Sequence, residues 1–280
     1  MPIAKLADGE LYYEEAGSGE LLIMLPGLGH DHTYFAKTVP LLAPYARVVT
    51  PDPRGLGRSS PARSYSVEQW AADLLQFICA LGAQRAHLLG SSLGACVCMQ
   101  AALDDPARVA SLTLVAGFSE LDPVMEINFR TRLKILDAVG LSDIMASHVS
   151  MWTLGRSFLA SEAGREQMEK LFSSVRKNTP ERYRAFIETI LRFGRCEPDQ
   201  AGTPKLTDRL RDIHLPTCVI CGSEDVLTPP AVSERMASLI AGAEFHIIPQ
   251  CGHITFTEKP LETAHRVSTF LQRVINASQK

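Results

Sequence analysis

The sequence predicts an α/β fold, in which a mostly parallel sheet is covered by helices and one connection carries an inserted helical segment. Three observations support this fold class. Residues 1–118 alternate short apolar runs rich in β-branched residues with longer segments of helical period. Residues 122–210 keep the helical period but contain no convincing strand. The alternation then resumes, and a chain of 280 residues is long enough to bury the core of one such domain.

Strands are predicted where a short apolar run is bounded by turn-forming residues. We expect an antiparallel strand near the start of the sheet, then buried strands, at residues 11–14, 21–25, 47–50, 87–89, 112–115, 217–221 and 244–248. Helices are predicted between them at residues 67–81, 93–103, 230–240 and 259–275. Strand and helix should therefore alternate on both sides of the insertion.

The inserted segment at residues 122–210, called the cap below, divides a core domain formed by residues 1–121 and 211–280. Its helical pattern is expected to break at Gly140, Gly155, Gly164 and Thr179-Pro180. Large apolar side chains recur in the cap at roughly helical spacing: Met125, Phe129, Met151, Trp152, Phe158, Phe172 and Phe186. Most of them are expected to pack the cap onto the core, and the others to line a pocket.

Composition and charge exclude several classes of protein. Hydrophobic residues make up 46% of the chain and charged residues 21%, which is typical of a globular protein and not of a disordered chain. The net charge is −3, and the Lys and Arg residues are spread along the chain instead of clustered. Neither a nucleic acid nor a membrane is therefore expected as a partner. The sequence has no evident signal peptide or membrane span, which predicts a cytoplasmic location.

The chain has seven cysteines, an odd number in a domain large enough to fold without disulfides: Cys79, Cys96, Cys98, Cys196, Cys218, Cys221 and Cys251. Reduced thiols are therefore expected. Cys218 and Cys221 form a Cys-x-x-Cys pair within a predicted strand and have no second pair. Buried thiols are favoured there over a zinc or redox site.

Ser92 is the candidate nucleophile. A predicted strand leads into the sequence Gly-Ser-Ser-Leu-Gly at residues 90–94 and then directly into a predicted helix. This context is typical of a nucleophile elbow, although a loop that merely joins strand to helix is the alternative. The turn requires small residues two positions to either side, which Gly90 and Gly94 provide for Ser92. Ser91 fails this test because leucines would flank it.

A serine hydroxyl needs a histidine as base and an acid that orients the histidine, in the chain order serine, acid, histidine. His253 lies in a loop just after a predicted strand, whereas His246 lies within that strand and His265 in the last helix. Asp225 follows another strand end and is the preferred acid. Glu224 is the competing acid, and a turn-forming role is the alternative for Asp225.

Acyl transfer also requires two hydrogen-bond donors for the oxyanion. We expect the backbone N–H of Leu93, directly after the nucleophile, and that of Leu28, in the glycine-rich loop at residues 26–29. Neither this loop nor Gly55-Leu56-Gly57 completes a dinucleotide or P-loop pattern, so phosphate binding is disfavoured.

The residues expected to contact a substrate are His30, Phe118 and Trp152. His30, Asp31 and His32 invite a metal interpretation, but no further ligand cluster accompanies them in the sequence. They are predicted to start a helix or line the pocket. No metal and no cofactor are expected.

Five segments of the sequence together match the motifs of a known family: residues 26–29, 52–59, 90–94, 222–225 and Gly252-His253. They resemble the α/β-hydrolase fold family over nearly the whole chain. Within it, the chain is similar to small cap-bearing serine hydrolases: 3-oxoadipate enol-lactonases, aminoacrylate or carbamate hydrolases, arylesterases and cofactor-free haloperoxidases. The resemblance implies an eight-stranded, mostly parallel sheet and a structural role for residues 52–59.

The chain departs from the family pattern at two places. Many relatives carry His-Gly in the oxyanion loop and a histidine before the nucleophile, where this chain has Pro26-Gly27 and Ser91. Neither change removes a backbone donor. A serine nucleophile argues against haloalkane dehalogenases and epoxide hydrolases, in which the family pattern would place an aspartate.

The leading hypothesis is therefore a serine hydrolase that cleaves a small-molecule carboxylic ester or lactone through an acyl-enzyme on Ser92. Carbon–carbon bond hydrolysis and perhydrolase or acyltransferase activity by the same triad are alternatives. A ligand receptor with little turnover is a third possibility from another class. The sequence leaves a homo-oligomer open.

Overall fold

Eight strands form one sheet in the computed structural model, which describes residues 2–176, 178–194 and 204–278. In chain order they are β1 Ile3–Leu6, β2 Gly9–Ala16, β3 Leu21–Leu25, β4 Arg47–Pro51, β5 Ala86–Ser91, β6 Val109–Val115, β7 Thr217–Gly222 and β8 Glu244–Ile248. Their order across the sheet is β1-β2-β4-β3-β5-β6-β7-β8. β2 pairs antiparallel with both β1 and β4, and the other five pairs are parallel. The prediction of a mostly parallel, eight-stranded sheet is confirmed.

The helices of the described residues cover both faces of this sheet. The first six are α1 Val39–Leu42, α2 Val67–Ala80, α3 Leu93–Asp104, α4 Pro123–Val139, α5 Asp143–Thr153 and α6 Arg156–Leu159. They are followed by α7 Glu162–Arg176, α8 Pro180–Phe193, α9 Leu206–Arg209, α10 Pro230–Leu239, α11 Thr255–Glu258 and α12 Pro260–Ser278. Short 3₁₀ turns lie at His32–Phe35, Pro106–Arg108 and Leu210–Asp212.

The alternation of side chains along β3 explains how one strand serves two hydrophobic cores. All five of its residues are buried. Leu21, Ile23 and Leu25 join the core under α2, α3 and the cap, whereas Leu22 and Met24 join the core under α1 and α12. Successive side chains of a strand point to opposite faces, so a strand covered on both faces is apolar throughout.

The described part of the cap consists of α4 to α9 and the turn that follows. Three of the four predicted breaks lie at helix ends, because Gly140 ends α4 with a positive φ of 68°, and Gly155 and Thr179 precede α6 and α8. Gly164 is different, since it lies in the first turn of α7. Its N–H is accepted by the hydroxyl of Ser161 at 3.1 Å, which caps the start of that helix.

The six cysteines in the described residues are free thiols, and Cys196 lies outside those residues. Cys218 and Cys221 are fully buried in β7. Burial raises the pKa of these two thiols to about 12 and about 11 respectively. Within the described residues, no helix has both the length and the apolar composition needed to span a bilayer.

Candidate active site

Ser92 lies at the sharp turn between β5 and α3, at the carboxyl end of a central strand. Its backbone has φ 54° and ψ −118°, a conformation that is rare for a residue with a side chain. A β-carbon on Gly90 would lie 2.3 Å from Gly94, and one on Gly94 would lie 2.4 Å from the carbonyl oxygen of Leu25. The two glycines therefore allow the backbone contacts that the turn requires.

Asp225 and His253 form a buried hydrogen-bonded pair at two neighbouring strand ends. Nδ1 of His253 lies 2.8 Å from Oδ2 of Asp225, and their side chains are 4% and 0% exposed. Because a carboxylate oxygen accepts, Nδ1 of His253 carries the proton and Nε2 is left as an acceptor. The other carboxylate oxygen of Asp225 accepts the N–H groups of Leu227 and Thr228, each at 2.9 Å.

Thr228 supports this pair, although sequence reasoning did not single it out. Its hydroxyl lies 2.8 Å from Oδ2 of Asp225, 3.1 Å from Nδ1 of His253 and 3.1 Å from the carbonyl oxygen of Ala116. Thr228 is fully buried. It fixes the carboxylate that in turn fixes the imidazole.

Glu224, the competing acid, faces a different partner. Its carboxylate accepts the backbone N–H of Ser157 at 2.7 Å and also the hydroxyl of Ser157. These hydrogen bonds lower the pKa of Glu224. Glu224 therefore connects the core to α6 of the cap, and Asp225 is the acid that contacts His253.

One cavity between core and cap is lined by both Ser92 and His253. The ring of His253 makes its hydrogen bonds through Nδ1, which leaves Nε2 for a partner in the cavity. Within the described residues, no direct hydrogen bond joins Ser92 to His253. In catalytic sites without substrate such bonds are often long and tighten only when substrate binds.

The core and the cap both contribute walls to this cavity. From the core come Gly27, Leu28, His30, Tyr34, Ser91, Ser92, Leu227, His253 and Ile254. From the cap come Phe129, Arg132, Val149, Thr153, Leu171 and Ile190. Apart from Arg132, the cap side is mainly apolar.

The two expected oxyanion donors lie next to Ser92. Leu28 lines the cavity in the loop after β3, and Leu93 is the first residue of α3. The N–H of a first helical residue has no partner within its own helix, so the N–H of Leu93 is available to a ligand. The loop lies close to the nucleophile, because a β-carbon on Gly27 would lie 3.1 Å from Cβ of Ser92.

His30, one of the residues expected to contact substrate, lines the cavity. Its Nδ1 donates to the carbonyl oxygen of Leu28 at 2.9 Å, and burial lowers the pKa of His30. The ring is therefore neutral near pH 7 and holds the oxyanion loop. Tyr34 packs against His30 at a centroid distance of 4.8 Å, and its hydroxyl lies 3.1 Å from that of Ser91.

Phe118 and Trp152 lie outside the cavity lining. Phe118 is a core residue, 1% exposed, whose ring packs edge-on against Phe193 at 5.9 Å. Trp152 is partly buried against the core, with its ring 6.3 Å from that of His148. On the cap side, the aromatic residue that lines the cavity is instead Phe129 of α4.

Two groups of potential metal ligands have their ligand atoms within 4.8 Å of one another: Asp31, His32 and Asp52, and Cys218, Glu244 and His246. In the first group Nδ1 of His32 lies 2.6 Å from Asp52, and Asp31 accepts the N–H of Thr33 at 3.0 Å. Asp52 is fully buried and also accepts the N–H groups of His32 and Arg58. These contacts anchor the loop at residues 52–59, in line with its expected structural role.

Glu258 connects the cap to the loop that carries His253. Its carboxylate accepts the N–H of Gly252 at 2.9 Å and that of Gly155 at 3.2 Å. Burial raises the pKa of Glu258 to about 7, against the lowering effect of these two hydrogen bonds. The carbonyl oxygen of Thr153 also accepts the N–H of His253 at 2.9 Å. The cap is therefore attached directly to the loop of the candidate base.

Arg132 is a charged residue in the cavity that sequence reasoning missed. It lies on the buried face of α4 with Met125, Phe129 and Leu136. Its side chain is 4% exposed, and its Nε and Nη2 have no hydrogen-bond partner among the described residues. The spacing of these four residues, at steps of three and four, is a sequence signal that could have placed Arg132 inside.

Comparison with known sequences gives a consistent family assignment. A family model described as the alpha/beta hydrolase fold matches residues 20–260. The putative carbamate hydrolase RutD of Variovorax paradoxus is 30% identical over 269 residues, which cover 94% of this chain and 97% of that protein. The putative carbamate hydrolase RutD of Shigella flexneri is 27% identical over 235 residues, covering 83% and 84%.

Solved structures share the same architecture. A thermophilic esterase from Thermogutta terrifontis, with malate bound, has a TM-score of 0.82 and 26% identity over 97% of both chains. The enol-lactonase from Burkholderia xenovorans has a TM-score of 0.83 and 23% identity over 96% of this chain and 99% of that one, a likeness of fold. The resemblance found in the motifs is confirmed by these matches over most of the sequence, and the chain belongs to the α/β-hydrolase fold family.

Proposed function

We propose that this protein is a serine hydrolase that cleaves a small carboxylic ester or lactone through an acyl-enzyme on Ser92. The observation that carries the proposal is the buried contact of 2.8 Å between His253 and Asp225, beside a cavity that Ser92 shares. An oriented imidazole next to a strained serine is the arrangement that activates a hydroxyl nucleophile.

In the proposed reaction, Oγ of Ser92 attacks the substrate carbonyl carbon while Nε2 of His253 accepts the hydroxyl proton. Asp225 stabilises the imidazolium that forms. The N–H groups of Leu28 and Leu93 bind the oxyanion of the tetrahedral intermediate. His253 then donates its proton to the departing alkoxide, and water attacks the acyl-enzyme by the same steps to release the acid.

The relatives support hydrolysis and widen the range of substrate classes to be tested. Two sequence relatives carry the name putative carbamate hydrolase, and one structural neighbour is called an esterase. Esters, lactones and carbamates each carry a leaving oxygen on a carbonyl carbon, and a carbamate also carries nitrogen there. One triad could therefore act on all three, and the substrate panel should contain each class.

The test is steady-state turnover of short acyl esters, lactones and carbamates by the wild type and by Ser92→Ala. We expect Ser92→Ala to lower kcat by about 10⁴-fold or more, because the nucleophile is lost while oxyanion donors and binding groups remain. Its circular dichroism and melting temperature should match the wild type. Near-native turnover by Ser92→Ala would falsify the assignment of the nucleophile.

Product analysis separates the alternatives that share the triad. Peracid formed in the presence of hydrogen peroxide, or transesterification with an added alcohol, would favour acyl transfer over hydrolysis. Turnover confined to carbon–carbon substrates such as β-diketones would favour the carbon–carbon hydrolase. A single stoichiometric burst with no further turnover on every ester would favour a ligand receptor.

A further inference from the structure

Arg132 places a positive charge in the cavity that Ser92 and His253 line. A guanidinium remains protonated throughout the pH range in which proteins fold. Here the side chain is 4% exposed, and Nε and Nη2 lack hydrogen-bond partners among the described residues. Burial of an unpaired charge is strongly unfavourable unless an anion or other acceptor compensates it.

A second buried arginine shows how the chain satisfies such a charge elsewhere. Arg54 is 1% exposed, and its guanidinium donates to both carboxylate oxygens of Asp73 at 2.7 and 2.8 Å. It also donates to the side chain of Asp8 at 2.8 Å. Arg54 therefore has two carboxylate partners, whereas Arg132 has none within the described residues.

The groups around Arg132 do not balance its charge. One face of the guanidinium is covered by the ring of Phe129, whose centroid lies 5.2 Å from Cζ. Asn128, on the same helix, is fully buried and neutral, and its amide lies 3.3 Å from Nε2 of His148. The pKa of His148 is lowered by burial and by the charge of Arg132, so this ring is neutral as well.

We propose that Arg132 binds a carboxylate that the substrate carries in addition to its scissile carbonyl; this proposal rests on the proposed ester or lactone hydrolysis. The planar guanidinium fork is suited to a carboxylate, which accepts two parallel hydrogen bonds from it. The apolar side chains of Val149, Leu171 and Ile190 line the same cavity and would contact a hydrocarbon spacer. The substrate class is thus half-esters of dicarboxylic acids and lactones that bear a carboxylate.

Such an arginine should act on binding more than on the chemical step. The carboxylate is already charged in the free substrate and keeps its charge in the transition state. Arg132 therefore stabilises ground state and transition state to a similar extent, so its loss should raise KM with little change in kcat.

The first experiment compares 4-nitrophenyl monoesters of dicarboxylic acids of graded length with the matching carboxamides, which differ only in charge and hydrogen bonding. Uncatalysed release is subtracted. For the best spacer, we expect wild-type kcat/KM to be about 10- to 100-fold higher for the acid than for the amide, the range for a hydrogen bond to a charged group. Equal kcat/KM for acid and amide at every length would overturn the proposal.

The second experiment repeats the comparison with variants. Arg132→Gln should abolish the preference for the acid by raising its KM, while kcat/KM for the carboxamide stays within about 3-fold. Arg132→Lys should keep part of the preference, because it keeps the charge without the fork. Arg130→Gln is the matched control, since Arg130 lies on the same helix and pairs with Glu126 at 2.7 Å. An equal loss of activity on acid and amide in Arg132→Gln would indicate a structural role and contradict the proposal.

A binding measurement keeps the result separate from that of the proposed function. Adipate and its diamide are titrated calorimetrically into Ser92→Ala and into the double variant with Arg132→Gln. Adipate should bind Ser92→Ala at least about 10-fold more tightly than the diamide, and the double variant should lose this difference. Preferential binding of adipate without ester turnover by the wild type would refute hydrolysis and leave the carboxylate site standing. Ester turnover by the wild type without preferential binding of adipate would support hydrolysis and refute the carboxylate site.

Discussion

Glu224 and Asp225 are adjacent in the sequence, yet their carboxylates face different partners. Asp225 is buried and contacts His253 and Thr228, whereas Glu224 is partly exposed and accepts two hydrogen bonds from Ser157. The difference arises because successive residues after a strand point in different directions. The burial of each carboxylate therefore distinguishes the acid of the proposed triad, Asp225, from its neighbour Glu224.

This difference predicts opposite results for two conservative variants. Asp225→Asn should lower kcat by about 10³- to 10⁴-fold, because an amide at this position favours the wrong tautomer of His253. Glu224→Gln should leave kcat within a few-fold, since it changes a contact to the cap. Initial rates on the best ester measure both. Comparable losses in the two variants would contradict the assignment of Asp225.

At the scale of residues, the sequence identified the polar groups that follow strand ends and missed those that depend on the docking of the cap. Ser92, Asp225 and His253 could be ranked because their positions follow from strand order. Arg132 lies between Arg130 and Lys134 in a charged stretch, which hid the helical spacing that places it on the buried face of α4. Phe118 was expected in the pocket, but its neighbour across the core is a phenylalanine of the cap.

The turn between β5 and α3 leaves no room for a side chain at Gly94. A β-carbon on Gly94 would lie 2.4 Å from the carbonyl oxygen of Leu25 and 2.7 Å from that of Pro26. Both contacts are with backbone, which cannot rotate away. The turn that presents Ser92 is thus held against the loop after β3, which carries the expected oxyanion donor Leu28.

We predict that Gly94→Ala lowers the free energy of unfolding by about 3 kcal/mol and lowers kcat as well, because the turn must open to admit the methyl group. Gly19→Ala is the control, since Gly19 has a positive φ of 97° but nothing within 4 Å of the added carbon. That variant should lose about 1–2 kcal/mol from backbone strain alone, with kcat unchanged. Urea unfolding and initial rates provide the two measurements, and a Gly94→Ala variant as stable as Gly19→Ala would argue against the close contact.

Among the elements, the parallel strands β3 and β8 were predicted best and the short antiparallel strand β1 worst. The bounds of β3 and β8 agree with the expected residues 21–25 and 244–248. β1 was missed because its four residues include Lys5 and only Ala4 is buried, so no apolar run marks it. The expected edge strand at residues 11–14 lies within β2, one place in from the edge. A break was expected at Gly164, but this glycine lies in the first turn of α7, beside Phe158. That position depends on packing, which the sequence does not mark.

At the scale of the molecule, Glu258 makes the attachment of the cap sensitive to pH. The pKa of this carboxyl is raised by burial to about 7, from 4.5 when free. Between about pH 4.5 and pH 7, Glu258 therefore keeps its proton in the folded protein but has lost it in the unfolded chain. The stabilising contribution is complete below about pH 4.5 and is lost as the pH rises through about 7, with a magnitude of about 3 kcal/mol.

Glu258→Gln should remove this component of the pH dependence. Glutamine keeps an oxygen that can accept the N–H groups of Gly252 and Gly155, but it does not ionise. The variant should gain stability relative to the wild type as the pH rises from about 5 to about 8, as measured by urea unfolding at intervals of one pH unit. Glu262→Gln, at an exposed position of α12, should follow the wild type. A Glu258→Gln variant with an unchanged pH profile would contradict the raised pKa.

The positions of most strands along the chain were predictable, because they follow from the alternation of apolar runs. The contacts between cap and core were not. They depend on which face of each cap helix meets the sheet domain, and on backbone groups such as the N–H of Gly155 that carry no side-chain signal. The cavity wall formed by the cap was accordingly the part of the site that sequence predicted least.

The hydrogen bond from the N–H of His253 to the carbonyl oxygen of Thr153 has a consequence for selectivity. His253, the proposed proton acceptor, is thus held by the cap as well as by the core. In the proposed reaction, a molecule that fits poorly against α5 would displace Thr153 and move the imidazole of His253 away from the attacking oxygen. Selectivity between molecules that fit well and molecules that fit poorly is therefore expected in the rate of bond cleavage as well as in the binding affinity.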